Sequence, residues 1–460
     1  MAKTEDRSTE EAAPEKDWTQ GSIIGNLVML SWPMVIMEAL YMIGQIVDMI
    51  WVGRIGPASI AGVGIANVCF LVVASMDIGL IMGIRAMVAR FVGAGDMRSA
   101  SNIAGQALIL GALWGIIVAI AGLAIIKPVF GLFGVEPEVI AEGVAYIRIL
   151  FAGWIAMGVL VMGLYSIQAS GDTVRPMVTE VCIRSVHVLL CPFLVLGWWI
   201  FPQLGVVGAA LSNVIAHSLG AIVIVVLLFS GRTRLKITWS DLRPVPDYIW
   251  RILKIGIPSL ILHTQKSFGD VILAWIIVPF GTLAVAAHSL VLRIEMIFLA
   301  VGIGLGGGSG VLAGQNLGAG QSKRAEKSGW MAVGLMEAIM VVFSLVMLLK
   351  AESIVGIFTT EPDLIELSAA FLRIAVAGYL IFGIVLVLQD CIAGTGDTLP
   401  TMIVSIAMIW LVQLPLAFYL PSVANLGVYG VRWAIVAGIF AGSVFYIIYF
   451  MLGRWKSRKV

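Results

Sequence analysis

Charge is what this 460-residue sequence is short of. Asp, Glu, Lys and Arg make up 12% of it, against about 25% in a soluble domain. Hydrophobic residues make up 60%, and the mean hydropathy is +1.02. A chain with so few charges cannot cover itself with water-compatible side chains, so its solvent is lipid. Lipid offers no partner to free backbone N–H and C=O groups, which leaves helices or a closed barrel. The apolar runs continue for about 20 residues or more instead of alternating over about 10, so helices are expected.

Other shortages narrow the function. The four cysteines, Cys69, Cys182, Cys191 and Cys391, sit inside apolar runs and form no C-x-x-C pair. They read as buried thiols and not as a disulfide framework or a zinc site. A net charge of +2 gives no reason to expect a nucleic-acid partner. No G-x-x-x-x-G-K-[ST] loop occurs, so ATP is not expected as the energy source. The run Gly304–Gly310 has the look of a phosphate loop, but it lies inside an apolar span and lacks that ending. Its small residues let helices approach closely. No H-E-x-x-H or G-x-S-x-G occurs, so an enzyme is not expected. No cofactor and no metal site are expected either.

What is there is a series of apolar spans. Twelve are expected between residues 27 and 452, separated by Gly- and Pro-rich loops. Lys and Arg set their orientation. With both termini in the cytoplasm, nineteen fall in inner loops and tails, and three (Arg54, Lys127 and Lys350) fall outside. Residues 1–22 read as a polar, disordered cytoplasmic tail, not as a signal peptide. Residues 23–230 form a first lobe, 231–248 a cytoplasmic linker, 249–453 a second lobe and 454–460 a basic tail. The expected location is the cell membrane.

The lobes repeat at an offset of 225. Pro33 pairs with Pro258, Gly93-Ala94-Gly95 with Gly318-Ala319-Gly320, and Gly171-Asp172-Thr173 with Gly396-Asp397-Thr398. Leu204-Gly205-Val206 matches Leu426-Gly427-Val428 at offset 222, so one loop has lost three residues. Six spans per repeat is an even number, so both lobes enter the membrane in the same sense. They are then related by a pseudo-two-fold axis along the membrane normal, the plan of several transporters that rock about a central site.

Ionisable residues inside spans are costly, about 2.5–3.5 kcal/mol each at the bilayer centre. Here they fall on single helical faces. The first span carries Glu38, Tyr41, Gln45 and Asp48. The fifth carries Glu180, Arg184, His187 and Cys191, and the seventh Ser259, His263, Lys266 and Asp270. These faces are expected to look into a wet cleft shared by the lobes. Asp48 stands alone in Ile46-Val47-Asp48-Met49-Ile50. Desolvation favours the protonated form of such a carboxylate, which suits it to couple transport to a proton gradient. Its competing reading is a salt bridge to Arg184 or a hydrogen bond to Gln45. Lys266 and Asp270, four apart, are expected to pair with each other. Arg293 and Glu295, two apart on one helix, each need a separate partner. His217 and His288 read as core histidines.

In order and duplicated, these residues resemble the multidrug and toxic compound extrusion (MATE) transporters. The likeness covers residues about 25–450. It runs through Pro33, Val47-Asp48, Val52-Gly53-Arg54-Ile55-Gly56 and Ala169-Ser170-Gly171-Asp172-Thr173. It continues through Gly256-Ile257-Pro258, Gly314-Gln315-Asn316-Leu317-Gly318 and Ala393-Gly394-Thr395-Gly396-Asp397-Thr398. The resemblance implies export of amphipathic, often cationic, organic compounds by antiport with protons or sodium, with Asp48 as the coupling acid. Many members carry an Asp before a Pro in the fifth span and an Asn four residues earlier. Here those positions are Cys191 and His187. A sodium site would lose two of three oxygen ligands, so protons are expected. Sodium-coupled relatives with a second-lobe site have a Glu eight residues after the Pro of the seventh span; here it is Lys266. Arg184, His187 and Lys266 also keep open a flippase for lipid-linked precursors. Candidate substrate contacts are Glu38, Tyr41, Gln45, Arg184, His187, Cys191, Lys266 and Asp270, in a monomer.

Overall fold

The chain satisfies its backbone within helices. The computed structural model describes residues 16–423, 426–458 and 460, and no strand occurs among them. Residues 1–15 of the expected tail, and Lys459, lie outside the described residues. The first lobe holds α1 (Ile23–Val52), α2 (Pro57–Gly93), α3 (Met97–Gly131), α4 (Pro137–Ala152), α5 (Trp154–Ala169), α6 (Val174–Leu196) and α7 (Val206–Ser230). The second holds α8 (Pro246–Ile277), α9 (Thr282–Gly318), α10 (Ser322–Val355), α11 (Pro362–Gly394), α12 (Thr398–Ile406), α13 (Leu414–Val423) and α14 (Val428–Leu452). Eleven helical stretches among the described residues are long and apolar enough to cross a membrane. They become twelve when α4 and α5, bent by 52°, count as one span. The bend falls at Gly153, where a Cβ would press into the side chain of Val214 on α7.

The repeat is visible in the backbone itself. Gly95 and Gly320 have φ of +77° and +75°, Gly171 and Gly396 +97° and +94°, all at the 225 offset. Gly205 and Gly427 have +58° and +53°, and Gly231 and Gly453 both +68°, at the 222 offset. Left-handed backbone costs glycine little and other residues much, so these are the same turns made twice. The copies differ between α12 and α13, where Ala407–Gln413 form a π-helical turn. Pro415, just beyond, has no N–H and crowds the carbonyl four residues back. A wider turn relieves that crowding.

The lobes touch through glycines. A Cβ at Gly83 would strike Ile252 of α8, one at Gly304 would strike Val35 of α1, and one at Gly308 would strike Ser31. Gly93 lies against the backbone of Gln315, and Gly318 against that of Arg90. This is the role of the glycine run of α9: Gly306 faces Asp390 on α11 and Gly307 faces Arg85 on α2, so three helices crowd one. All these contacts lie in the helix halves nearer the chain's ends, because α1 and α8 start there and α2 and α9 finish there.

The described end of the expected disordered tail is docked, and so is the linker. Within the 1–22 tail, Trp18 is 7% exposed, and its carbonyl and that of Gln20 accept from the Asn26 side chain at 3.2 and 2.8 Å. A buried indole supplies enough apolar area to fix a short polar stretch. In the linker, Leu235 and Ile237 are buried, and the Gln106 amide donates to the carbonyls of Asp241 and Arg243 at 2.8 and 2.9 Å. The C-terminal segment is anchored by Trp455, stacked on Phe450 with centroids 4.7 Å apart.

The close approach at Gly93 has a measurable consequence. Gly93→Leu is expected to force α2 and α9 apart at this end, at about 1–3 kcal/mol of overpacking. Spin labels at the exposed positions Arg98 and Lys323 should then report a longer interlobe distance. An unchanged distance would show that the lobes do not meet there.

Candidate functional site

The carboxylate of Asp48 is 3% exposed and is held by side chains from two other helices. His187 of α6 places Nε2 3.0 Å from Oδ1. The Tyr146 hydroxyl of α4 donates to Oδ2 at 3.0 Å. The Cys191 thiol lies 3.8 Å from Oδ1. The spacing of His187 and Cys191, one turn apart, puts both on the face of α6 that meets α1. Pro192 follows Cys191 inside α6; its missing N–H leaves a carbonyl one turn back without its helical partner.

A cavity of about 30 Å³ opens beside this cluster, lined by Tyr41, Gln45, Asp48, Asn67, Tyr146 and Arg184 among others. That is room for about one water. Every lining residue belongs to the first lobe. The expectation of a cleft shared by both lobes is therefore corrected for Asp48, which looks into its own lobe. Asp48 is also neither isolated nor paired with Arg184. The Arg184 guanidinium donates to Glu180 at 2.7 Å and lies 5.6 Å over the ring of Tyr41. Gly44 makes room for it, since a Cβ there would collide with the guanidinium.

The stripe of α1 divides along its length. Glu38, ten residues before Asp48, sits at the lobe junction, where the charges of Arg85, Glu180 and Asp390 bear on it. Arg85 is 5% exposed, donates weakly to Gln168 at 3.4 Å and stands 5.2 Å over the ring of Tyr165. Lys266 is in the other lobe, and its charge reaches Asp390. The expected Lys266–Asp270 ion pair does not form: no contact within 4.0 Å joins them, and Asp270 is exposed while Lys266 is half-buried. The structure thus gathers Asp48, His187, Cys191, Tyr41, Gln45 and Arg184, and leaves Glu38, Lys266 and Asp270 elsewhere.

Sequence reasoning missed Tyr146, Asn67, Asn213 and the place of His217 in the cavity wall. Tyr146 and Asn67 are lone polar residues in apolar spans, while Asn213 and His217, four apart on α7, form a short pair. The rule that polar groups in a bilayer need a partner was the available signal.

The second lobe has its own buried charges. The Arg432 guanidinium, 2% exposed as a side chain, donates to Glu295 at 2.6 Å, and the Tyr379 hydroxyl donates to the same oxygen at 2.6 Å. His288 lies 3.4 Å from Arg432. Glu295 has thus found a partner of its own, while Arg293 is exposed.

Two parallel six-span lobes, packed against each other at one end, are the plan of a class of membrane transporters. The chain belongs to the MATE family: the MatE family model matches residues 33–193 and 258–419. It is 26% identical over 440 residues to a probable multidrug resistance protein NorM of Thermotoga maritima, covering 94% of this chain and 93% of that one. It is 25% identical over 432 residues to a probable multidrug resistance protein, YoeA, of Bacillus subtilis, covering 93% of each. Among solved structures, a MOP superfamily transporter of Pyrococcus furiosus aligns with a TM-score of 0.87 at 25% identity, covering 95% of this chain and 96% of its own. Its binding pocket is described as having reverse polarity, suggesting a different function. An outward-facing multidrug resistance MATE transporter aligns equally well, at 0.87 and 25% identity with the same coverage.

The Glu180–Arg184 pair generates a stability prediction. Glu180→Gln leaves a buried guanidinium without its counter-charge and should cost about 3–5 kcal/mol. Adding Arg184→Gln should return most of that loss. Thermal unfolding of the two purified variants measures both, and equal stability of the single and double variants would contradict the pairing.

Proposed function

We propose that the protein is a secondary exporter of amphipathic organic compounds, driven by proton antiport through Asp48. The observation that carries this reading is the binding of one buried carboxylate by donors on two helices. As a carboxylate, Asp48 accepts from Tyr146 and His187 and ties α1 to α4 and α6. Protonation removes the charge, weakens both hydrogen bonds and turns one oxygen into a donor. The hold on the outer half of α1 then slackens, while the other half stays against α9. A proton taken up at one face and released at the other can thus move α1 between two arrangements.

Protons suit the site better than sodium does. Sodium prefers several oxygen donors, and here the positions beside Asp48 present an imidazole and a thiol. The Arg184 guanidinium lines the same cavity. At the lobe junction, Glu38 and Asp390 stand against Arg85 and Lys266, a mixture of signs that favours amphipathic substrates over simple cations. The names of the relatives, multidrug resistance proteins, agree with a broad substrate range. In this reading both termini are cytoplasmic, as the Lys and Arg bias requires. The lobes are then closed toward the cytoplasm, the exporter sits in the cell membrane, and it uses no ATP.

The test is transport in vesicles. Purified protein, dye-loaded vesicles and an exterior made acidic should give efflux, and a sodium gradient of the same size should give little. Asp48→Asn should lower the pH-driven rate by at least ~10-fold, the scale of losing a positioned proton-transfer group, with an unchanged circular dichroism spectrum. Full pH-driven efflux by that variant would remove Asp48 from the mechanism.

A further inference from the structure

We propose that Asp48, His187 and Cys191 also form a binding site for a divalent transition metal of borderline softness, best matched by Zn2+. The three donor atoms lie within 4.8 Å of one another, and all three residues are buried. They come from one carboxylate, one imidazole and one thiol, the ligand types that select zinc and its neighbours over sodium, calcium or magnesium. Zn–N and Zn–O bonds of about 2.0 Å and a Zn–S bond of about 2.3 Å, at tetrahedral angles, put ligand atoms roughly 3.3–3.5 Å apart. The observed separations are 3.0 Å for His187 Nε2 to Asp48 Oδ1 and 3.8 Å for Cys191 Sγ to the same oxygen. These two separations differ from the coordinated values by a few tenths of an ångström, and the third, between His187 and Cys191, is at most 4.8 Å.

The surroundings complete the site. Asp48 also lines the adjoining cavity of about 30 Å³, which has room for one water on the carboxylate side of the site; three protein ligands and one solvent make an open zinc site. Charge also balances. Binding releases the Cys191 thiol proton, and thiolate and carboxylate together neutralise a dication. To bind a metal, His187 gives up the proton that Nε2 shares with Asp48 in the free site and takes the tautomer with its proton on Nδ1. That atom has no hydrogen-bond partner, and a metal-bound histidine normally has one. The site is therefore weaker than a closed structural zinc site and suits reversible occupancy. Of the other charges nearby, Arg184 is cancelled by Glu180 at 2.7 Å. His217 is tied to the Asn213 carbonyl at 2.8 Å. His187 and Cys191 share one helical face in the sequence, but the third ligand lies 139 and 143 positions from them on another helix, so no metal motif shows there. The inference stands apart from the transport reading, since it is measured as binding.

Cobalt(II) is the probe, on purified full-length protein in detergent. One equivalent should give a thiolate-to-cobalt charge-transfer absorption in the near ultraviolet, and Zn2+ should abolish it by displacement. Cys191→Ser should lose that absorption, and His187→Ala should weaken binding by at least ~10-fold, since even loss of an outer-shell partner costs that much. A Cys69→Ala/Cys182→Ala/Cys391→Ala variant should keep the absorption, which protects the test if Cys191→Ser fails to fold. The proposal falls if the native protein shows no charge-transfer absorption at saturating cobalt, if Cys191→Ser retains it, or if the triple variant loses it.

Discussion

A carboxylate buried among lipid-surrounded helices has to be held by donors, and the hold on Asp48 organises the first lobe. An uncompensated charge there costs several kcal/mol. Tyr146 and His187 supply the compensation. Tyr146 does so from α4, which is bent by 52° from α5. His187 can because α6 turns its one polar face toward α1. The other end of α1 belongs to different company: Ser31 and Val35 pack on the glycines of α9 in the second lobe. One helix is therefore fastened to its own lobe through a protonatable group and to the other lobe through close backbone contact. Under the proposed proton coupling, a change of charge at Asp48 alters how the lobes sit against each other.

The fold is duplicated but its chemistry is not. Both lobes repeat the same left-handed glycine turns. Where the second lobe joins Glu295 to the buried Arg432 and Tyr379, the positions of the first lobe equivalent to Glu295 and Tyr379 at the 225 offset are Phe70 and Trp154, with ring centroids 5.0 Å apart. The acid of the first lobe has no acidic counterpart at the 225 offset, where Leu273 stands. Fold and site evolve under separate constraints, so a shared scaffold does not require two equivalent sites.

Much of the fold was legible because the bilayer is a demanding solvent. Span length, loop punctuation and the offset repeat all follow from backbone hydrogen bonding and chain geometry. The bend at Gly153 and the docking of Trp18 were not legible, since both depend on contacts with distant residues. The site was legible in part. Helical spacing put Asp48 and His187–Cys191 on polar faces, and that much is local. Which face met which was not local: Arg184 chose Glu180 on its own helix over Asp48, and Lys266 and Asp270 stayed apart. Tyr146 and Asn67 are single polar residues, and only three-dimensional packing shows that they close the pocket. The gathering of thiol, imidazole and carboxylate was invisible for the same reason.

The central claim is that Asp48 exchanges a proton within its pocket, and infrared difference spectroscopy tests it most directly. Acidifying the membrane-reconstituted protein should produce a protonated-carboxyl C=O band that is absent from Asp48→Asn. A difference spectrum identical in the two proteins across the working pH range would mean that Asp48 keeps one charge state throughout, and the account would be wrong.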